Sequence, residues 1–310
     1  MAARRVKYGS IISDNARWDG FEFRPGDIVI STPPKCGTTW MQMICALLIF
    51  QTPEFEGSLD LISPWLDMLT RDRDSVFADL AAQTHRRFIK SHTPLDGLPD
   101  DPRVTYIAVG RDPRDVALSW DNHMVNMDMD AVMEARAAAV GLDDLADFFA
   151  DGPPVRPESE VERFWLWIDQ ERDPAAAGSR PGGLAGLLLH LGTFWAVRDR
   201  ANVVLVHYGD LQADLEGEMR RIADRLDITV PEDRWPALVE AATFERMRAN
   251  ADRCAPDTTN RIFFSNAQFF NRGTSGQWKR LLDDDGLRRY RARVASLAPP
   301  DLAAWVHHES

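Results

Sequence analysis

Cysteine is scarce in this sequence: Cys36, Cys45 and Cys254 are the three in a chain of 310 residues. An odd, scattered set without metal-ligand spacing argues against a disulfide framework and a zinc site, and it fits a reducing compartment. Long apolar runs are absent too. The most apolar stretch, Met41 to Phe50, is too short to cross a bilayer. The basic N-terminus, MAARRVKYGS, lacks the apolar segment of a secretory signal. A soluble, cytoplasmic protein is expected. Positive charge is in short supply: 36 Lys plus Arg stand against 48 Asp plus Glu, a formal net charge of −12. Such a protein is a poor non-specific partner for nucleic acid or anionic membrane. An anionic ligand must be held by a local cluster of cations and backbone N–H groups. No internal repeat or low-complexity tract is visible.

What is there reads as an ordinary globular chain, long enough to bury a substantial core. Asp27 to Ser31 is β-branched and predicts a strand; it runs into Pro33-Pro34, which cannot continue one. Gly37 to Phe50 then predicts a helix with Trp40, Ile44, Leu47 and Leu48 on one face. Further strands are expected at Arg87–Lys90, Val104–Val109 and Asn202–His207. The third strand breaks at Gly110 into a helix opened by Asp112-Pro113, an N-cap followed by proline at the first helical position. The last precedes a helix over about Leu211–Leu226, and Asp283–Leu297 reads as a charged surface helix. Strands alternating with helices predict one α/β domain over residues 1–310, with a central, mostly parallel sheet flanked by helices. Segments 127–160 and 251–270, and the similar Arg172–Gly183, read as mobile loops or lids.

Ligands of such sheets bind beyond the carboxyl ends of the strands. The loop Thr32-Pro33-Pro34-Lys35-Cys36-Gly37-Thr38-Thr39-Trp40 leads into a helix N-terminus there. Unpaired N–H groups and the helix dipole make a ready anion site. Gly37 admits close approach, Thr38 and Thr39 add hydroxyls, and Lys35 adds a charge. An ATP-binding loop would place its lysine after a second glycine. Here Lys35 precedes the loop's only glycine, so a magnesium-dependent kinase is the disfavoured alternative.

That loop resembles the 5′-phosphosulfate loop, T-Y-P-K-S-G-T-T-W, of the cytosolic-type sulfotransferases. Those enzymes use 3′-phosphoadenosine 5′-phosphosulfate (PAPS), leave PAP as product and require no metal. Lys90-Ser91-His92 resembles the family's K-x-H segment with its catalytic histidine. Arg111 to Trp120 resembles the 3′-phosphate motif, His207 to Leu211 the segment after the last core strand, and Arg272 to Lys279 the closing R-K-G-x-x-G-x-W-K. The resemblance spans about Phe21 to Lys279. It implies a P-loop-like nucleotide-binding fold. Departures fall at Cys36 (for Ser), at Asn271-Arg272-Gly273 (for Arg-Lys-Gly) and at Ala242-Thr243-Phe244 (for Thr-Ser-Phe). The family's dimer motif is not visible after Lys279, so oligomeric state stays open.

Sulfuryl transfer is an in-line displacement, so a base and a stabiliser of the leaving oxygen must face the sulfur from opposite sides. His92, following a core strand, is the expected base. Lys35 is the expected stabiliser, with Lys90 adding a second charge. The resemblance gives Ser119 the role of restraining Lys35, and it sets Arg111, Ser119, Arg272 and the Gly273 backbone around the 3′-phosphate. It also places Trp40 and Phe244 about the adenine, with Tyr208 and Thr243 beside them, and counts Phe270 and Asn271 among the cofactor contacts. Arg114 reads as a helix-surface charge, and His190, His207, His307 and His308 as structural. Trp65, Trp120, Phe263 and Phe264 are candidates for an apolar acceptor pocket. That pocket would suit a phenol, a steroid-like alcohol or a lipid-linked sugar. A non-catalytic nucleotide-binding protein is the remaining alternative.

Overall fold

A computed structural model of the chain describes residues 5–145, 156–171, 182–256, 261–271 and 273–309. Four strands form one sheet: β1 (Ile28–Ser31), β2 (Phe88–Ser91), β3 (Thr105–Gly110) and β4 (Val203–His207). Their order is β2-β1-β3-β4 and every pair is parallel, with Ile28 beside Phe88 and Thr105, and Tyr106 beside Val203. All residues of β1 and β2 are buried, which is why their sequences lack apolar–polar alternation. Ile28, Ile30, Ile107 and Val204 face one core with the helix Thr38–Phe50. Val29, Ile89, Tyr106 and Val203 face the other, with Trp18 and Phe194. Thr38–Phe50 is apolar almost all round and is correspondingly buried over most of its length.

Because the strands are parallel, Ser31, Ser91, Gly110 and His207 all end on one edge. The chain leaves β1 for one side and returns through β3 on the other, which opens a crevice at that edge. A third cluster, with Leu188, Leu191 and Tyr290 at its centre, joins the helices Pro113–Asn126, Gly183–Trp195, Asp284–Leu297 and Pro300–His307. Asp112 caps the first of these through the Arg114 N–H, with Pro113 at its start, as expected.

Three expectations change. The helix after β4 is two helices, Tyr208–Ala213 and Leu215–Arg225. Asp214 breaks them, its carboxylate accepting from the Gly217 N–H at 2.8 Å. Segment 127–160 contains the helix Met129–Val140, capped by Asp128; the alanines read as loop composition are strong helix formers. Its Arg136 is buried, donating to the Ile11 carbonyl (2.8 Å) and to both oxygens of Asp144 (2.7 and 2.8 Å). Segment 251–270 holds two single turns, Ala251–Cys254 and Asn266–Phe269. Residues 146–155, 172–181 and 257–260, which fall within the expected lids, lie outside the described residues.

Gly110 shows how closely the C-terminal helix is seated. A Cβ there would stand 2.5 Å from Trp305, whose ring is hemmed in by Trp195 at 5.2 Å and His207 at 5.7 Å. Gly110→Ala is expected to cost about 1–3 kcal/mol through overpacking. Chemical denaturation measures it; an unchanged midpoint would show that Trp305 yields freely.

Candidate active site

The loop after β1 supplies the first wall. Lys35 and Gly37 both take positive φ (69° and 106°), so the chain turns sharply into the helix at Thr38. Gly37 caps that helix with no side-chain bond, which leaves its first N–H groups for a ligand. A Cβ on Gly37 would lie 3.0 Å from the Tyr208 ring, so only glycine fits unstrained. Thr38 is fixed by a hydroxyl–hydroxyl bond to Thr32. Cys36 points the other way. Its side chain is fully buried in the cluster with Val116 and Leu118 and does not line the site, so the serine hydroxyl it replaces is not lost from the cavity wall.

The end of β2 supplies the second wall. Lys90 and His92 are buried and line the same cavity as Lys35. His92 Nδ1 lies 2.7 Å from the Thr32 carbonyl oxygen. A carbonyl only accepts, so Nδ1 carries the proton and the lone pair of the neutral ring is on Nε2. The Trp65 indole stands edge-on to His92 at 4.7 Å and lies under the Lys90 ammonium at 4.6 Å. Behind them the buried Asp67 carboxylate accepts from the hydroxyls of Ser91 (3.0 Å) and Thr93 (2.6 Å), the two residues flanking His92. Asp67 has no local motif and went unread in the sequence.

Arg111, at the end of β3, is buried over the Tyr208 ring at 4.2 Å. It donates to the carbonyls of Lys35 (3.0 Å) and Thr274 (3.4 Å), and its Nε is buried without a hydrogen-bond partner among the described residues. On the following helix Asp115, Ser119 and His123 stand at intervals of four and all line the cavity. The sequence reading took only Ser119 from this face, although the spacing was available. Asp115 accepts from the N–H groups of Gly276 (2.8 Å) and Gln277 (3.2 Å) and so ties down the closing loop. Arg114, read as a surface charge, is instead buried. It pairs in a bidentate manner with Asp112 and stacks on Trp278 at 3.7 Å.

Trp40, Phe244, Phe270, Asn271 and Gly273 also line the cavity. Trp40 is held by an Nε1–H bond to the Ala242 carbonyl (2.8 Å) and stands edge-on to Tyr208. Gly273, at φ 65°, lies on Phe244 so closely that a Cβ would stand 2.6 Å from the ring. Thr243 does not line the site; its hydroxyl caps the helix Phe244–Ala249 and donates to the Glu240 carbonyl. Arg272 lies outside the described residues.

The whole cavity encloses about 590 Å³, within the range of small-molecule sites. Beyond His92 its wall is apolar: Met68, Met127, Val132, Ile262 and Phe263, with Ile12 and Ile11 from the N-terminal segment. Trp65, Trp120 and Phe263 line it as expected. Phe264 does not. It is 69% exposed, because its N–H pairs with the Asn126 carbonyl and turns the ring outward. His123 is the residue the sequence reading missed on this side, packed among Trp120 (5.6 Å), Phe263 (5.3 Å) and Phe269 (6.0 Å). The remaining histidines hold bonds within the fold. Examples are His190 to Ser31 (3.2 Å) and His307 to Tyr290 (2.7 Å). Among the described residues His207, Asp210 and His308 come close enough to bracket a metal. However, His207 Nδ1 already accepts from Gly209 and His308 pairs with Asp210.

Residues 25–297 match the sulfotransferase domain family. Over 307 residues, 98% of this chain and 94% of the relative, the sequence is 44% identical to a glycolipid sulfotransferase of Mycobacterium tuberculosis. Rat sulfotransferase 1A1 is 25% identical over 87% of this chain and 84% of its own. Among solved structures, a retinol dehydratase in complex with androsterone and PAP superposes with a TM-score of 0.67 at 20% identity, covering 93% of this chain and 89% of that one. A mouse sulfotransferase complexed with PAP gives 0.66 at 18% identity, covering 95% and 93%. These two show the shared fold.

The His92 geometry has a direct spectroscopic consequence. At a pH where the ring is neutral, ¹⁵N NMR is expected to find the Nδ1–H tautomer with a pyridine-like Nε2. An Nε2–H tautomer would contradict the Thr32 bond.

Proposed function

The chain belongs to the sulfotransferase family, and we propose that it transfers the sulfuryl group of PAPS to a hydroxyl of a sugar headgroup carried on a lipid. The observation that carries this reading is a single cavity. It joins an anion cradle at one end to an apolar wall at the other, with His92 between them. The 44% identity to a glycolipid sulfotransferase supports a lipid-linked acceptor.

The residues fit the nucleotide. Gly37 caps its helix with no side-chain bond, which leaves the first N–H groups free to hold an anion, and the Arg111 Nε is a buried donor without a partner among the described residues. In this reading the helix N-terminus and Thr39 hold the 5′ end, while Arg111, Ser119 and the Gly273 backbone hold the 3′-phosphate. Trp40 and Phe244 border the base. When bound, the donor supplies an activated sulfuryl group with a phosphate leaving group. His92 Nε2 takes the proton from the acceptor hydroxyl, held in register by the Nδ1–H bond to Thr32. Lys35 and Lys90 balance charge that grows on the transferring group and the leaving oxygen. The apolar wall excludes water, which would otherwise compete as acceptor.

Two outcomes check this. PAP is expected to raise the melting temperature while magnesium-ATP does not, and His92→Ala is expected to lose about 10²–10⁴ in kcat with PAP binding retained. Stabilisation by magnesium-ATP alone would favour the kinase reading. PAP binding without transfer to any acceptor would favour a non-catalytic protein.

A third outcome concerns pH. Burial, and then the charges of Arg111 and Lys90, push the Lys35 ammonium down from 10.5 to about 7. A bound anion favours the charged form and raises that value, so binding takes up a proton above pH 7. PAP affinity is therefore expected to fall as pH rises past about 7, by up to about tenfold per unit. Calorimetry at pH 8 in buffers of different ionisation heat reads the uptake, and Lys35→Met abolishes it. Affinity that rises with pH would contradict the assignment.

A further inference from the structure

Beyond His92 the cavity wall is mostly carbon, yet two buried nitrogens in that wall lack partners. The Trp65 Nε1–H and the His123 Nδ1 are buried, and neither has a hydrogen bond among the described residues. An unpaired buried polar atom is costly and uncommon in native proteins, and those that persist mark a ligand, a water or a function. Both residues line the cavity that holds His92. Trp65 is perpendicular to the His92 ring at 4.7 Å. His123 sits 6.0 Å from the Phe269 ring, whose face also carries the Lys35 ammonium at 4.3 Å. The two rings therefore flank the region where an acceptor hydroxyl must meet the base and the lysines.

We propose that Trp65 and His123 form a polar subsite that hydrogen-bonds further hydroxyls of the acceptor, selecting a polyhydroxylated ring on an apolar chain over a mono-hydroxylated phenol or sterol. The inference rests on the sulfotransferase reading above and deepens its acceptor side. The hydrogen-bond types match. An indole N–H only donates, whereas a neutral imidazole offers one donor and one acceptor. A sugar hydroxyl can meet either, because it donates and accepts. Burial, reinforced by the Lys35 and Lys90 charges, holds the His123 imidazole well below its ordinary titration range, so it stays neutral. The methionines and Phe263 around it suit the apolar chain that follows the ring.

The test compares two acceptors with the same long alkyl chain, an alkyl glucoside and an alkylphenol, using the full chain and PAPS. Wild type is expected to favour the glucoside in kcat/KM. His123→Phe keeps an aromatic ring, slightly larger than imidazole, and removes both nitrogens. It is expected to lower kcat/KM for the glucoside by about 10–100-fold while leaving the phenol within about threefold. Trp65→Phe is expected to act in the same direction, and His123→Gln to recover part of the loss. Binding is read separately by the melting shift that the glucoside adds to the PAP-bound enzyme, which His123→Phe removes. Equal losses on both acceptors, with PAP stabilisation intact, would overturn the subsite and leave the sulfotransferase reading standing, as would a wild type that prefers the phenol. Absence of PAP stabilisation in the wild type would overturn both.

Discussion

Three cations, Lys35, Lys90 and Arg111, share one cavity in a protein whose net charge is strongly negative. Each lies on an aromatic face. Lys35 stands over Phe269 at 4.3 Å, Lys90 over Trp65 at 4.6 Å and Arg111 over Tyr208 at 4.2 Å. A ring face attracts a cation without discharging it. Arg111 and Lys90 stand close enough to add to the burial that lowers the Lys35 ammonium. The nearby Asp115 is occupied by backbone N–H groups of the closing loop, so it secures the wall without quenching the site.

That constraint accounts for much of the surrounding sequence. The aromatic platforms come from different places: a loop beside β2, the first residue after β4, and a single turn before Gly273. Glycines occur where aromatic rings must touch backbone, Gly37 against Tyr208 and Gly273 against Phe244. Away from the cavity Arg114 also stacks on an aromatic, Trp278, but there its charge is paired with Asp112.

The parallel sheet and the positions of Lys35, Lys90, His92 and Arg111 were legible because each lies at the end of a β-branched or apolar strand or just after it. Residues whose placement depends on tertiary direction were not. Cys36 and Phe264 sit in the expected segments, yet one turns into the core and the other to solvent. The helix Met129–Val140 was hidden by a composition shared between loops and surface helices. Asp115 and His123 belonged to a readable four-residue spacing that a motif-led reading of Ser119 passed over. Asp67 carried no local signal, since its partners lie 24 and 26 residues away.

The bond from His92 to the Thr32 carbonyl joins the tip of β2 to the loop that also carries Lys35. His92 and Lys35 thus hang from one mechanical frame, like the two jaws of a single caliper. The gap between the jaws is fixed by the sheet edge itself.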